Sequence, residues 1–232
     1  MMFFAEKPVD EKLLNHFLQF LTDARRAKFE EVLSFRTRHI TVVLEDIFQS
    51  QNASAVLRTC DLTGISDVYI IENKYRYEVN PDVALGSSKW LNLKKFNHSN
   101  QNSEQAIDHL KEKGYQIVAT SPHNHNHSPE DIPLDKPIAL FFGTEKLGLS
   151  KVVLDNADSF IRIPMYGFTE SYNISVSAAL LLYTLTQRLH KTDFEWKLPE
   201  NDFKNMLLDW CRKSVPKSDL IENEFNRVNR NH

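Results

Sequence analysis

A chain of 232 residues with 41% hydrophobic and 25% charged residues has the composition of an ordinary globular protein, which excludes the disordered and fibrous classes. No apolar run reaches the roughly 18 residues that a membrane-spanning helix needs, and the first residues lack the basic-then-apolar order of a signal peptide, so we expect a cytoplasmic protein. The formal net charge of −3 does not indicate a nucleic-acid partner, because phosphate contacts favour a basic surface.

The secondary structure changes in character along the chain. Apolar residues at helical spacing within 11–35 predict two helices ahead of the main domain. Five short apolar runs follow, separated by helical patterns, and each predicts a buried strand: 39–45, 67–71, 116–120, 138–142 and 160–163. Strands that alternate with helices indicate an α/β fold with a parallel sheet and helices on both faces.

Capping residues mark the ends of several predicted helices. Gly64 and Gly114 are expected just past helix C-termini, where a left-handed residue ends the helix. Ser103 and Ser150 are expected as N-caps, because a serine hydroxyl accepts a hydrogen bond from the first turn.

The chain is therefore expected to consist of a helical N-terminal extension at 1–37, an α/β domain at 38–190 and a C-terminal extension at 191–232. The extension after the domain should hold one helix near 200–214, followed by a tail. Cys60 and Cys211 both lie in helical patterns, which favours reduced, packed thiols over a disulfide.

Polar and glycine residues concentrate at three points where a strand meets a helix, the place where open α/β sheets bind ligands. In the first segment Asn52 is either a helix cap or a site residue, and Arg58 lies among apolar positions where an arginine usually has an anionic partner. In the second, Gly143 allows close backbone approach and Glu145 is a candidate partner for Arg58. This segment lacks the glycine patterns of dinucleotide and nucleoside-triphosphate loops.

The third segment enters a long apolar helix that we expect to start near Tyr172. Ser171 and Asn173 lie at this start, where ordinary capping explains one of them and a second hydrogen-bonding residue suggests a ligand. Further along, Val176, Ala179, Leu180 and Tyr183 belong either to the core of one chain or to a contact between two chains.

Three ordered motifs, NASAVLRTCDLTG, FFGTEKLGLS and IPMYGFTESYNISVSAALLLY, resemble those of the SpoU, or TrmH, family of RNA ribose 2'-O-methyltransferases in the SPOUT superfamily. The resemblance covers about 38–190, and SSKW and ATSP are also similar to that family. It implies a deep trefoil knot in the C-terminal part of the sheet, a homodimer that packs through the knot region, and S-adenosylmethionine as the methyl donor. The C-terminal helix with its LP and Trp resembles members that methylate the D-loop guanosine at tRNA position 18.

The resemblance also implies roles for individual residues. Arg58 would act on the ribose hydroxyl, supported by Asn52, Glu145, Ser171 and Asn173. The cofactor pocket would be lined by Thr120, Gly143, Ile163 and Tyr172, of which Tyr172 replaces the leucine common in the family. The RNA would be bound by basic residues outside the knot, with Arg25, Arg26, Arg36, Arg38, Lys89, Arg212, Lys213 and Lys217 as candidates.

Two other functions stay open from the sequence: 2'-O-methylation of ribosomal RNA or of another tRNA position, and a noncatalytic RNA-binding module. A metal site is not expected. His123, His125 and His127 alternate in a loop that lacks cysteine or acidic ligands at familiar spacing, which favours a solvated loop.

Overall fold

A computed structural model describes residues 8–124 and 126–229. It divides into two compact units: Thr37–Trp196, and a helical unit formed by the residues before Thr37 together with those after Trp196. Within the described ranges, no helix is long and apolar enough to cross a membrane.

The strands are β1 (Ile40–Glu45), β2 (Asp67–Ile71), β3 (Asn92–Phe96), β4 (Gln116–Thr120), β5 (Ile138–Phe142) and β6 (Ser159–Ile161). The α-helices of the described residues are α1 (Glu11–Leu18), α2 (Asp23–Leu33), α3 (Ser50–Leu62), α4 (Pro81–Ala84), α5 (Asn102–Glu112), α6 (Lys151–Asn156), α7 (Ile174–Leu189), α8 (Glu200–Ser214) and α9 (Ser218–Asn229). A 3-10 helix spans Ser87–Trp90.

All six strands join one parallel sheet in the order β3-β2-β1-β5-β4-β6, which confirms the predicted sheet. Every residue of β1, β2 and β5 is buried, as expected for parallel strands covered on both faces. Because the strands are parallel, all their carboxyl ends lie at the same edge of the sheet. This edge positions the loops that carry the three motifs.

Several local predictions are confirmed. Gly64 and Gly114 adopt φ of 80° and 81° directly after helices, and the Ser150 side chain accepts a hydrogen bond from the Val153 N–H at the start of α6. Cys60 and Cys211 are free and buried.

Other local predictions are wrong. The sheet also contains β3, which was not predicted because NLKKF is an edge strand with two lysines and only partial burial. Ser103 is not an N-cap, since α5 begins one residue earlier and the Ser103 hydroxyl instead donates to Glu45 Oε1 at 2.6 Å. The expected C-terminal tail is largely helix α9.

The helical unit packs around Trp210 of α8, which is 2% exposed. Helices α1 and α2 both contact α8. The Phe29 ring meets the Trp210 ring edge-on at a centroid distance of 5.4 Å, and the Arg36 guanidinium lies 5.3 Å from the Trp210 ring centroid. An ion pair between Arg212 and Glu222 joins α9 to α8.

Candidate active site

Loops at the carboxyl edge of the sheet surround a cavity of about 390 Å³. The lining residues come from the loops that follow β4, β5 and β6 and from the first turns of α7. This volume lies within the range of small-molecule sites, roughly 300–1,000 Å³. The cavity is therefore large enough for a cofactor.

The loop after β5 is closed by backbone hydrogen bonds between its two ends, and we call it the pinched loop. Thr144 and Gly148 exchange two backbone hydrogen bonds of 2.9 Å, and Gly148 adopts a φ of 69°. A Cβ atom added at Gly143 would lie 2.2 Å from the carbonyl carbon of Gly148. Only glycine allows two backbone segments to approach this closely, so Gly143 determines the shape of the cavity wall.

Glu45, at the end of β1, anchors the far end of the same loop. Its Oε1 accepts from the hydroxyl groups of Ser103 and Ser150 at 2.6 and 2.7 Å, and its Oε2 accepts from the Ser150 N–H at 2.8 Å. The carboxylate is 2% exposed, and a buried carboxylate is stable only when it is paired or hydrogen-bonded in this way. Glu45 was not predicted from the sequence, because its partners Ser103 and Ser150 lie 58 and 105 residues further along the chain.

The predicted cofactor residues all line this cavity. Thr120 reaches it from the end of β4, Gly143 from the loop after β5, and Ile163 and Tyr172 from the loop between β6 and α7. The Thr120 hydroxyl donates to the Phe141 carbonyl at 2.7 Å, so β5 already holds this side chain in place. Tyr172 is 44% exposed at the mouth of α7. Ser171 also lines the cavity.

Beside the cavity, a cluster of amide and carboxylate groups connects helix α3, the loop after β5 and the start of α7. Asn52 and Asn173 both donate through Nδ2 to Glu145 Oε1, and the Asn173 amide also donates to Asn52 Oδ1 at 3.2 Å. Asn173 caps α7 by accepting from the Ser175 N–H at 2.8 Å. Asn52 is not the cap of α3, because that helix begins at Ser50 with Gln49 in the capping position. Its side chain is therefore available to the cluster.

Arg58 lies on α3, six residues after Asn52, or about 9 Å along the helix axis. Its side chain is exposed, and it makes no hydrogen bond or ion pair with another residue that the structure describes. The pairing with Glu145 that the sequence suggested is absent, since the Glu145 oxygen is shared by the two asparagines. An arginine presented in this way is suited to bind an anionic ligand.

The sequence profile of the family described as "SpoU rRNA Methylase family" matches residues 39–183. The chain belongs to the SpoU family. It is 48% identical over 208 residues to the tRNA (guanosine(18)-2'-O)-methyltransferase of Borreliella burgdorferi, covering 90% of this chain and 94% of that protein. It is 34% identical over 195 residues to the enzyme of the same name from Thermus thermophilus, covering 83% and 98%.

Among solved structures, the chain resembles an Aquifex aeolicus enzyme described as a TrmH/SpoU tRNA modifying enzyme. The TM-score is 0.73 at 31% sequence identity, and the match covers 84% of this chain and 98% of that one. The three loops described above thus carry the motifs of a SpoU family member in both sequence and structure.

The basic residues predicted to bind RNA in this SpoU family member fall into three groups. Arg36 and Arg38 are buried, the first against Trp210 and the second in an ion pair with Asp67, so neither side chain is presented to a phosphate. Arg25 and Lys89 are exposed; the Arg25 guanidinium lies over the Phe29 ring and the Lys89 ammonium over the Trp90 ring. Arg26, Arg212 and Lys213 form ion pairs with Glu30, Glu222 and Asp209, and Lys217 is exposed with a φ of 57°.

Helix α7 has one face in the core and another in solvent. Ala178, Leu181 and Leu185 are buried, whereas Val176, Leu180 and Tyr183 are 45%, 42% and 64% exposed. The latter three therefore do not belong to the core of a single chain.

The histidine loop borders the cavity. His123 lines it, His127 lies 3.5 Å from Asp131, and His125 falls outside the described residues. Among the residues that the structure describes, no group of three or more His, Cys, Asp or Glu side chains is arranged to hold a metal. Ser121 and Asn124 also line the cavity, and their position directly after β4 was the sequence signal that could have identified them.

Proposed function

We propose that this chain transfers the methyl group of S-adenosylmethionine to the ribose 2'-oxygen of guanosine 18 in the D-loop of tRNA. The observation that carries the proposal is the cluster of Asn52, Glu145 and Asn173 beside a cofactor-sized cavity, with Arg58 exposed on the same helix as Asn52. The choice of guanosine 18 in tRNA as the target is supported by the 48% identity to a tRNA (guanosine(18)-2'-O)-methyltransferase, which covers 94% of that protein.

The volume of the cavity, about 390 Å³, is in the range of small-molecule cofactor sites and would accommodate S-adenosylmethionine. Thr120, Gly143, Ile163 and Tyr172 would hold it, largely against backbone at the pinched loop. When bound, the cofactor supplies an electrophilic methyl group on a positively charged sulfur.

Arg58 would orient the ribose hydroxyl and the adjoining phosphate. A guanidinium stays protonated in proteins, so Arg58 is suited to donate hydrogen bonds and to stabilise negative charge on oxygen, and it is unsuited to accept the hydroxyl proton. That proton would pass to solvent water as the oxygen accepts the methyl group. Alignment and electrostatic stabilisation of this kind account for large rate factors in group transfer.

Asn52, Glu145 and Asn173 would act as a brace between α3, the loop after β5 and the start of α7. The Glu145 oxygen accepts from both amides and so fixes the relative positions of the three segments. Ser171 would contribute a polar group at the cavity mouth.

We also infer the domain organisation, the dimer contact and the RNA contacts of the chain. Residues 38–190 would form the methyltransferase domain, with the segments after β5 and β6 forming the trefoil knot of the SPOUT fold. The exposed Val176, Leu180 and Tyr183 would form part of a homodimer contact on α7. Arg25 and Lys89 would contact tRNA phosphates, while the cytoplasmic location stays a prediction.

Incubation of the purified chain with methyl-labelled S-adenosylmethionine and unmodified tRNA transcript tests this proposal. We expect label in the transcript and none in a matched transcript with 2'-deoxyguanosine at position 18, which lacks the acceptor hydroxyl. Label in the deoxy control would indicate another position, and label only in ribosomal RNA would indicate another substrate. Retained RNA binding without any transfer would favour a noncatalytic module.

A further inference from the structure

Two exposed aromatic rings lie together near the site, on loops that the proposed mechanism does not use. Phe48 lies between β1 and α3, and Tyr75 lies just beyond β2; they are 72% and 42% exposed. Their ring centroids are 5.0 Å apart, with an interplanar angle of 69°. Single exposed aromatics are common, but a contacting pair contributed by two separate loops forms a defined apolar surface.

The pair is held in place by Asp46, which adopts a φ of 52°. Its Oδ1 accepts backbone N–H bonds from Asn73, Lys74 and Tyr75 at 2.7, 2.8 and 3.4 Å. A left-handed non-glycine residue persists only where surrounding contacts compensate its backbone strain, and these bonds do so. The two loops are therefore arranged in advance of any binding.

The surface next to the rings carries cations. Lys74 and Arg76 flank Tyr75, both are exposed, and neither side chain forms an ion pair with a residue that the structure describes. The Asp46 carboxylate accepts the three backbone bonds. Residues 74–78 therefore hold two exposed cations and one exposed acid, Glu78.

Hydrogen bonds connect this surface with the site on α3. The Ser54 hydroxyl lies 3.1 Å from the Tyr77 hydroxyl and accepts from the Asn80 N–H at 2.9 Å, which holds this segment against α3. Arg58 lies one turn beyond Ser54, about 6 Å along the axis. Next to Phe48, the Gln49 Oε1 accepts from the Asn52 amide at 2.9 Å.

We propose that Phe48 and Tyr75 form a stacking platform for an unpaired nucleobase of the substrate RNA, with Lys74 and Arg76 contacting the adjoining phosphates. The inference rests on the proposed function, because the stacked base would belong to the RNA strand that carries the target ribose. Proteins recognise unpaired RNA by stacking bases on aromatic rings and contacting phosphates with Lys and Arg. Unpaired cations beside the rings favour RNA over a second protein surface.

The first test measures binding of unmodified tRNA to Phe48→Ala and Tyr75→Ala, with Phe194→Ala as a matched exposed aromatic of the same unit at 45% exposure. We expect each platform variant to bind RNA about tenfold more weakly, a typical loss for one stacked base. Affinity for S-adenosylmethionine should stay within about twofold of wild type. Phe48→Tyr and Tyr75→Phe, which keep the rings, should bind RNA normally.

A second readout reports stacking itself. A tRNA transcript with 2-aminopurine beside position 18 should lose fluorescence on binding wild-type protein and retain it with Phe48→Ala or Tyr75→Ala. Removing Lys74 and Arg76 together should lower the salt dependence of RNA binding, the slope of log K against log salt, by about 1.4 for two contacts to a single strand. Lys136→Ala, which removes an exposed lysine just ahead of β5 and so at the opposite edge of the sheet, should leave that slope unchanged.

The platform would be overturned if both alanine variants bound RNA with wild-type affinity and gave the wild-type fluorescence response. That result would not contradict the proposed methyl transfer by the wild-type chain. A fall in sedimentation mass in these variants would also overturn it and assign the rings to a contact between copies. If an alanine variant also loses cofactor affinity, the salt dependence of the variant without Lys74 and Arg76 tests the platform instead. An unchanged slope of log K against log salt in that variant would overturn the proposal. Failure of the wild-type chain to methylate tRNA would instead reject the proposed function.

Discussion

Substitution of Gly143 by alanine should distort the wall of the candidate cofactor cavity. The added Cβ would lie 2.2 Å from the Gly148 carbonyl carbon, 2.3 Å from its oxygen and 2.3 Å from the Leu149 nitrogen. Carbon atoms in contact are about 3.5 Å apart, so the backbone would have to move by roughly 1.3 Å. All three contacts are backbone atoms, and the two bonds between Thr144 and Gly148 resist that movement.

Overpacking of this kind costs about 1–3 kcal/mol, which for a chain of this size corresponds to a fall in Tm of roughly 2–12 °C. We expect the Kd for S-adenosylmethionine to rise at least tenfold in isothermal titration, because the displaced loop forms one wall of the cavity. Gly167→Ala is the matched control, since a Cβ there meets nothing within 4 Å. Normal cofactor affinity in Gly143→Ala, or an equal loss in Gly167→Ala, would refute this reasoning.

Three further predictions concern groups of different kinds. Arg58→Ala should lower kcat/KM for tRNA by at least about 100-fold, as for loss of one transition-state donor, while the Kd for S-adenosylmethionine in titration stays unchanged. Glu45→Gln should lower the free energy of unfolding in urea by about 2 kcal/mol, because an amide in place of Oε2 cannot accept from the Ser150 N–H. Burial, then the charges of Lys94 and Lys113, lower the pKa of His109 to about 4, so stability should fall as pH drops from 6.5 towards 4, where the unfolded chain binds the proton and the folded one does not.

A different outcome would contradict each of these three predictions. Full turnover by Arg58→Ala would remove this residue from the mechanism. Wild-type stability of Glu45→Gln, with Lys151→Ala as an exposed control, would show that the anchor of the loop does not depend on the carboxylate. A urea midpoint with the same pH dependence in His109→Gln as in wild type, or an imidazole that titrates near 6.5 in NMR spectra, would contradict the account of His109.

Strands buried on both faces were predictable from the sequence, because parallel central strands such as β5, with IALFF, are continuous apolar runs. The edge strand β3 was not, since NLKKF has neither an apolar run nor a clean alternation. Helix α9 contains no buried residue, so no core pattern separated it from a tail.

The candidate site residues were selected through their motifs, but the contacts between them could not be predicted from the sequence. Asn52 has the chemistry of a cap, yet its partners Glu145 and Asn173 lie 93 and 121 residues further along the chain, where no local pattern connects them. Arg36 and Arg38 were assigned to the surface because they are charged. Their burial depends on Trp210 and Asp67, which are brought close only by tertiary packing.

The most direct test of the central claim is a map of 2'-O-methyl groups in a tRNA transcript after incubation with the purified chain and S-adenosylmethionine. We predict one new methyl group, on the ribose of guanosine 18, and its absence when Arg58→Ala replaces the wild-type chain. A methyl group elsewhere in the transcript, or the same product from the Arg58 variant, would contradict the account.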